Sequence, residues 1–279
     1  MLAAALAQPV VVPWPTPSAK PLTTTMGYGT VNSTGTRFNW YASVLDDLSR
    51  FTVALPAGGC TVRNTTTNTA NLRGCEVAAN FGFFQFSPKP TYCLGEIVIN
   101  GTIVQWANDG APMLSMTSDR TTLIGALTKA DVAARHVTFA SAGFGIIVLD
   151  GKVHEAGVAR ASAAVRALRP TAEEIAPRTV AGVDAQGRIV LAAIDGVEAL
   201  NLGTTMTETA EIFAGGAAGF PFKLQHAINF DGGGSTTFSK SSPAWPAPAQ
   251  IYNRPTDTDV GDITERDVTS IACILPASA

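Results

Sequence analysis

The densest chemistry in the sequence lies at Ala227-Ile-Asn-Phe-Asp-Gly-Gly-Gly-Ser235. An extended backbone over residues 226–231 sends alternate side chains to opposite faces. Ile228 and Phe230 then point one way, and Asn229 and Asp231 the other. An amide and a carboxylate therefore meet at the strand's end, where Gly232, Gly233 and Gly234 follow. Three glycines allow positive φ and close approach of a ligand to the backbone. Their successive N–H groups can form an anion-binding nest, and Ser235 adds a hydroxyl. A carboxylate beside a phosphate-sized nest suits work on a phosphate ester. The structural alternative is a Gly-rich turn with a capping Asp. The Gly-Lys-[Ser/Thr] of a nucleotide-binding loop is missing.

Roles follow from residue type. Asp231 is the first candidate for a catalytic carboxylate, as base, acid, nucleophile or orienter. Asn229 stands beside it. Ser235 is a phosphate donor or a nucleophile; donor is favoured, because no His is placed in sequence to activate it. The resemblance described below implies glycoside cleavage, which ordinarily uses two carboxylates, and the second is not obvious. Glu208 is a candidate, but it also completes a capping box with Thr205. Asp195 precedes a glycine and suits a turn, and Glu265 can pair with its neighbour Arg266. A guanidinium fork matches phosphate oxygens, and Arg178, Arg254 and Arg266, which stand in the segments that carry the resemblance given below, are the candidates for holding an anion. Thr179 adjoins Arg178 and is a further substrate-binding candidate. Asn80 either bonds sugar hydroxyls or steadies a loop. His226 falls on the Ile228 face, which suits a core histidine. No metal-ligand spacing occurs, so neither a metal nor another cofactor is expected.

The elements that must hold these groups read as strands, turns and a few helices. Asn100-Gly101 and Asp150-Gly151 fall between apolar runs, as two-residue hairpin turns do. Residues 179–184 and 188–194 form another hairpin. Val153–Arg169 and 205–214 have helical spacing, the second ending at Gly215-Gly216. Lys223–Phe230 and Thr264–Leu275 read as strands, with a Pro-rich loop around Trp245 between them.

Composition sets the outer bounds. The 279 residues carry 19 basic and 22 acidic side chains, net −3, without a basic run, so nucleic acid is not an expected partner. No stretch is apolar enough to span a membrane. Residues 1–36 read as a leader and a Pro/Thr-rich arm, with an Ala5-Leu6-Ala7 pattern before Gln8 like a signal cleavage site. Residues 37–276 read as one catalytic domain. Export is further suggested by sequons at Asn32, Asn64 and Asn100, and by four cysteines without metal spacing.

Asn229-Phe-Asp-Gly-Gly-Gly-Ser-Thr-Thr-Phe238 resembles the N-L-D-G-G-G-S-x-T-[FM] signature of the phosphodiester glycosidases. Other segments resemble that family in the same order: Arg178-Thr-Val-Ala-Gly182, Gly203-Thr-Thr-Met-Thr-Glu208-Thr-Ala210-Glu211, Asn80-Phe-Gly-Phe-Phe84, Asn253-Arg-Pro255 and Glu265-Arg-Asp-Val268. Cys60, Cys75, Cys93 and Cys273 sit in contexts similar to those of the animal members. The resemblance runs from about Phe38 to Ile274. Phe81 departs from it by replacing a glycine, and Asp267 by replacing a proline. The EGF-like module, membrane span and tail of the animal members have no counterpart, so no membrane anchor is expected.

The resemblance implies a single α+β domain of mixed, largely antiparallel sheets with a few packed helices. It implies a metal-independent hydrolase that removes N-acetylglucosamine from an α-linked 1-phosphodiester, such as one on a phosphomannosyl glycan. The expected compartment is the secretory route, Golgi or lysosomal, or outside the cell. Another sugar phosphodiester, a polysaccharide, or silent phosphosugar binding are the alternatives. Four cysteines allow three pairings, and sequence alone does not choose among them; Cys60–Cys93 with Cys75–Cys273 is the expected set. Asn80, Arg178, Asp231 and Arg266 are expected to converge on one site.

Overall fold

A computed structural model describes residues 8–18, 22–85, 92–168, 175–242, 245–257 and 263–277. Its frame is an eight-stranded sheet. The strand order is Lys152–Val153, Gly145–Leu149, Leu224–Asn229, Arg178–Asp184, Ile189–Ile194, Arg37–Leu45, Thr23–Val31 and Ala217–Ala218. Neighbouring strands pair antiparallel. Arg178–Asp184 and Ile189–Ile194 are buried at every position, because both faces of the sheet are covered. Strands covered on two sides read as continuous apolar runs, not alternating ones. The helices Glu155–Leu168 and Met206–Phe213 cover one face, where Val180, Val190, Ile194, Ala210 and Phe213 share a core cluster.

The other face meets a five-stranded sheet ordered Trp245–Ile251, Phe238–Ser242, Val77–Asn80, Ile271–Ile274 and Phe51–Ala54. A six-stranded sheet, Val10–Pro13, Thr121–Gly125, Met113–Thr117, Val137–Ala142, Ile97–Ile99 and Thr102–Gln105, completes the fold. The α+β, largely antiparallel expectation is met. The hairpin turns are as read: Asn100 and Gly101 have φ of 50° and 75°, and Asp150 and Gly151 have 52° and 71°. Two positive φ values in succession give the turn whose twist matches the strands it joins. Both expected disulfides are present. Cys60–Cys93 and Cys75–Cys273 have Cα–Cα distances of 5.1 and 5.4 Å.

Three expectations are corrected. The stretch read as an arm supplies two strands, Val10–Pro13 against Thr121–Gly125 and Thr23–Val31 against Arg37–Leu45. Its apolar period was hidden because Gly27 and Gly29 stand where side chains would. A Cβ there would meet the ring of Trp40 at 2.7 Å and that of Phe38 at 2.3 Å. The neighbouring strand thus covers this one with its own aromatics, while Met26 and Tyr28 face out, 59% and 82% exposed. The Pro-rich loop at Trp245 is the strand Trp245–Ile251 at the rim of its sheet. An edge position tolerates prolines because it leaves N–H groups outside the ladder. The last strand is shorter than expected, Ile271–Ile274, and the segment before it carries Arg266. The signal-like residues 1–7 lie outside the described residues.

Candidate active site

The strand Leu224–Asn229 lies between Gly145–Leu149 and Arg178–Asp184, with Asn229 opposite both Gly145 and Val180. The predicted alternation holds. Ile228 and Phe230 are wholly buried in the core, and Phe230 stacks on Phe81 at 3.7 Å between ring centres. Phe81, the departure from the family pattern, thus puts its ring into the core. Its carbonyl still accepts the Asp231 N–H at 2.9 Å. Asn229 is 1% exposed. Its Oδ1 and Asp231 Oδ2 are both enclosed and without a hydrogen-bond partner among the described residues. Orphaned acceptors of this kind cost folding free energy, and active sites are where proteins tolerate them.

Asn80 is wholly buried and fixes the end of this strand. Its Nδ2 donates to the Asp231 carbonyl at 2.6 Å. Its Oδ1 accepts from Thr179 Oγ1 at 2.8 Å and from the Thr237 N–H at 3.1 Å. Asn80 and Thr179, both proposed from sequence as substrate-binding, therefore turn their polar atoms toward each other and the backbone. They are positioning residues here.

The glycine triplet is not an open nest. Gly233 N–H donates to the Pro177 carbonyl at 2.9 Å, and Ser235 N–H to Gly232 O. Gly234 N–H donates to Glu198 Oε2 at 3.1 Å. The chain's own carboxylate thus stands where a substrate anion was expected. Each glycine is needed for close approach. A Cβ on Gly232 would lie 2.7 Å from Pro177 O, one on Gly233 2.6 Å from Glu198 Oε2, and one on Gly234 2.2 Å from Asp257 O.

Arg266, buried at 7% exposure, enters from the segment preceding the last strand. Its Nη1 donates to Ser235 Oγ at 3.5 Å, its Nε to Asp257 Oδ1 at 2.5 Å, and its Nη2 lies 4.0 Å from Glu198 Oε2. Glu265, expected to pair with Arg266, instead accepts the Thr67 N–H at 3.0 Å, at the start of the helix Thr66–Arg73. Asp231 is pushed up from the ordinary 3.8 to about 6. Burial is the main cause, and the Glu198 charge adds to it. A hydrogen bond from Ser235 and the Arg266 charge oppose it.

Arg178 opens the strand beside Asp231 and is 5% exposed. Its Nε donates to the Thr204 carbonyl at 3.0 Å, and its Cα lies next to Gly232. Glu208, the sequence candidate for second carboxylate, is a cap. It accepts the Thr205 N–H at 2.9 Å and the Thr34 hydroxyl at 2.6 Å. Burial pushes its carboxyl up, but the bonds from Thr34, Thr36 and Thr205 outweigh that and hold it below the usual range. Arg254 is exposed, and its N–H bonds Asp195 at 3.3 Å. Asp195 also accepts Asn253 Nδ2 at 2.9 Å, and Asn253 Nδ2 reaches Thr236 O at 3.1 Å. Asp195 thus ties the loop leading to Glu198 to the segment leading to Asp257.

Asn80, Asp231, Ser235 and Arg266 therefore converge, with Arg178 one strand away. Glu208 instead caps the helix Met206–Phe213. Sequence reasoning missed Glu198 and Asp257. Glu198 lies between Gly196 and Gly203, and that glycine-bounded loop was the available signal. Of the sequons, Asn32 and Asn100 are exposed, whereas Asn64 is half-buried and accepts the Asn68 amide at 3.2 Å. Among the described residues no helix is long and apolar enough to cross a membrane.

Known proteins are similar to this chain in sequence and in fold. The phosphodiester glycosidase family model matches residues 73–275. Bovine N-acetylglucosamine-1-phosphodiester alpha-N-acetylglucosaminidase is 29% identical over 204 residues, 69% of this chain and 37% of its own. The mouse enzyme of the same name is 30% identical over 207 residues, 70% of this chain and 38% of its own. The chain spans less than two-fifths of the length of these relatives. The solved catalytic domain of the zebrafish enzyme, auto-inhibited by its pro-peptide, superposes with a TM-score of 0.81 at 20% identity, over 97% of this chain and 89% of that one. With its Asn229–Ser235 turn and buried Arg266 inside the matched span, this chain belongs to the phosphodiester glycosidase family.

Proposed function

We propose that the protein hydrolyses a sugar-1-phosphodiester, with α-linked N-acetylglucosamine as the sugar removed and a phosphorylated glycan as the leaving part. The reading is carried by one observation. Asp231 Oδ2 and Asn229 Oδ1 are enclosed acceptors without hydrogen-bond partners among the described residues, and a buried cluster of Ser235 and Arg266 bears on Asp231. Two acceptors suit a water and a sugar hydroxyl or amide, and the cluster suits a phosphate oxygen. The names of the relatives supply the sugar.

Asp231 acts as the general base. A phosphate is a good leaving group and needs little protonation, so the group whose proton transfer matters is the attacking water. The water oxygen bonds to the anomeric carbon and its proton passes to Asp231. The bond from that carbon to the phosphate oxygen breaks, and the electron pair leaves on a phosphomonoester. Asn229 orients the water or the sugar, and Arg266 with Ser235 holds the phosphate. No step uses a metal. The two disulfides and the exposed Asn32 and Asn100 sequons fit an oxidising, secretory compartment. The test is a panel of α-N-acetylglucosamine, α-glucose and α-galactose 1-phosphodiesters, each with and without chelator. Release of N-acetylglucosamine alone, at the same rate in both conditions, is expected. Preference for another sugar would overturn the substrate, and loss with chelator would overturn metal independence.

A further inference from the structure

We propose that Glu198 is a charge filter, which lets the site hold a singly charged phosphodiester and rejects a doubly charged phosphomonoester. This rests on the reading of the Asp231 end as a phosphodiester site. Glu198 Oε2 accepts the Gly234 N–H at 3.1 Å and lies 4.0 Å from Arg266 Nη2. Its side chain is only 13% exposed, so solvent screens it poorly. Arg266 is held at the same time by Asp257. The guanidinium that would receive a phosphate therefore already faces two carboxylates.

A count of formal charge shows the consequence. Arg266 alone faces Asp257 and Glu198, so these three groups sum to −1 while Asp231 keeps its proton and to −2 once Asp231 ionises. Such a site bonds phosphate oxygens through directed donors, yet has no surplus positive charge for a dianion. A diester carries one charge at any ordinary pH. A monoester carries nearly two above its second pKa, which is about 6. Whichever bond of the diester is hydrolysed, the product is a monoester. A fixed carboxylate beside Gly234 thus favours the substrate over its own product. Asn229 shows independently that a ligand belongs here, being 1% exposed with an unpartnered oxygen on the same turn.

The test is calorimetric binding at pH 8 of mannose 6-phosphate and of its methyl phosphodiester, to the wild type, Glu198→Gln and Glu198→Ala. Binding needs no turnover, so its result is separate from that of any hydrolysis assay. The wild type should bind the diester at least tenfold more tightly than the monoester. Either variant should tighten the monoester about tenfold and the diester, with half the charge, only about threefold. Equal change in both ligands, or no change, would overturn the filter. A wild type that binds the two alike would overturn it without any variant. Binding of neither ligand by any of the three proteins would overturn it together with the anion site itself.

Discussion

Asn80 holds the backbone of Asp231 and not its carboxylate: the amide nitrogen donates to the Asp231 carbonyl at 2.6 Å, while the amide oxygen ties down Thr179 and Thr237. The strand end is therefore held through its backbone, and the carboxylate is not engaged by Asn80. Replacing Asn80 with Ala strands the buried Thr237 N–H and the buried Asp231 carbonyl, and removes the acceptor of the Thr179 hydroxyl. Each such group costs about 1–3 kcal/mol. Asn80→Ala should lower stability by roughly 2–5 kcal/mol and lower kcat far more than it changes KM. Denaturant unfolding and steady-state kinetics check this. A rise in KM alone would mark Asn80 as a direct sugar contact.

Asp231 should give a visible pH limb. As a base with its pKa near 6, it is active when ionised. The rate, measured as kcat/KM, should rise through about pH 6 and level off above it. A profile that falls through pH 6 would make Asp231 an acid instead.

The same group should trade stability for function. Its folded pKa lies above the ordinary 3.8, so its stabilising contribution is complete below about pH 4 and is lost as pH rises to about 6 and beyond. Asp231→Asn removes the ionisation, and should raise the melting temperature at pH 8 relative to wild type and not at pH 4. Shifts of equal size at both pH values would show that burial of charge is not the cause. A gain on the order of 1–3 kcal/mol is the scale set by the shift.

Glu208 should matter to the fold more than to the reaction. Its bonds cap the helix Met206–Phe213 and pin Thr34. Glu208→Ala should cost about 1–2 kcal/mol in unfolding free energy, with kcat reduced by less than tenfold. A loss of several orders of magnitude in a folded variant would restore it as the second carboxylate.

Much of this was legible in the sequence where local rules decide. Turn residues located the hairpins at Asn100-Gly101 and Asp150-Gly151, and strand parity put Ile228 and Phe230 into the core. What failed was decided by distant packing. Gly27 and Gly29 look like breaks until Trp40 and Phe38 are seen to lie over them. Three glycines in a row look like an empty nest until Glu198, 36 residues earlier, is found bonded to Gly234. Arg266 looks paired with its neighbour Glu265, yet the backbone turns them apart, Glu265 to Thr67 and Arg266 to Asp257. Capping logic was the better guide for Glu208, and nothing local distinguished Asn80 as a clamp from Asn80 as a sugar contact.

The most direct test is release of N-acetylglucosamine from α-N-acetylglucosaminyl-1-phospho-6-mannoside by wild type and Asp231→Asn, side by side. The predicted result is turnover by wild type and a loss of at least a thousandfold in the variant, whose fold is confirmed by its melting curve. Equal turnover by both would contradict the placement of Asp231 at the reacting bond, and a folded wild type without turnover would contradict the substrate.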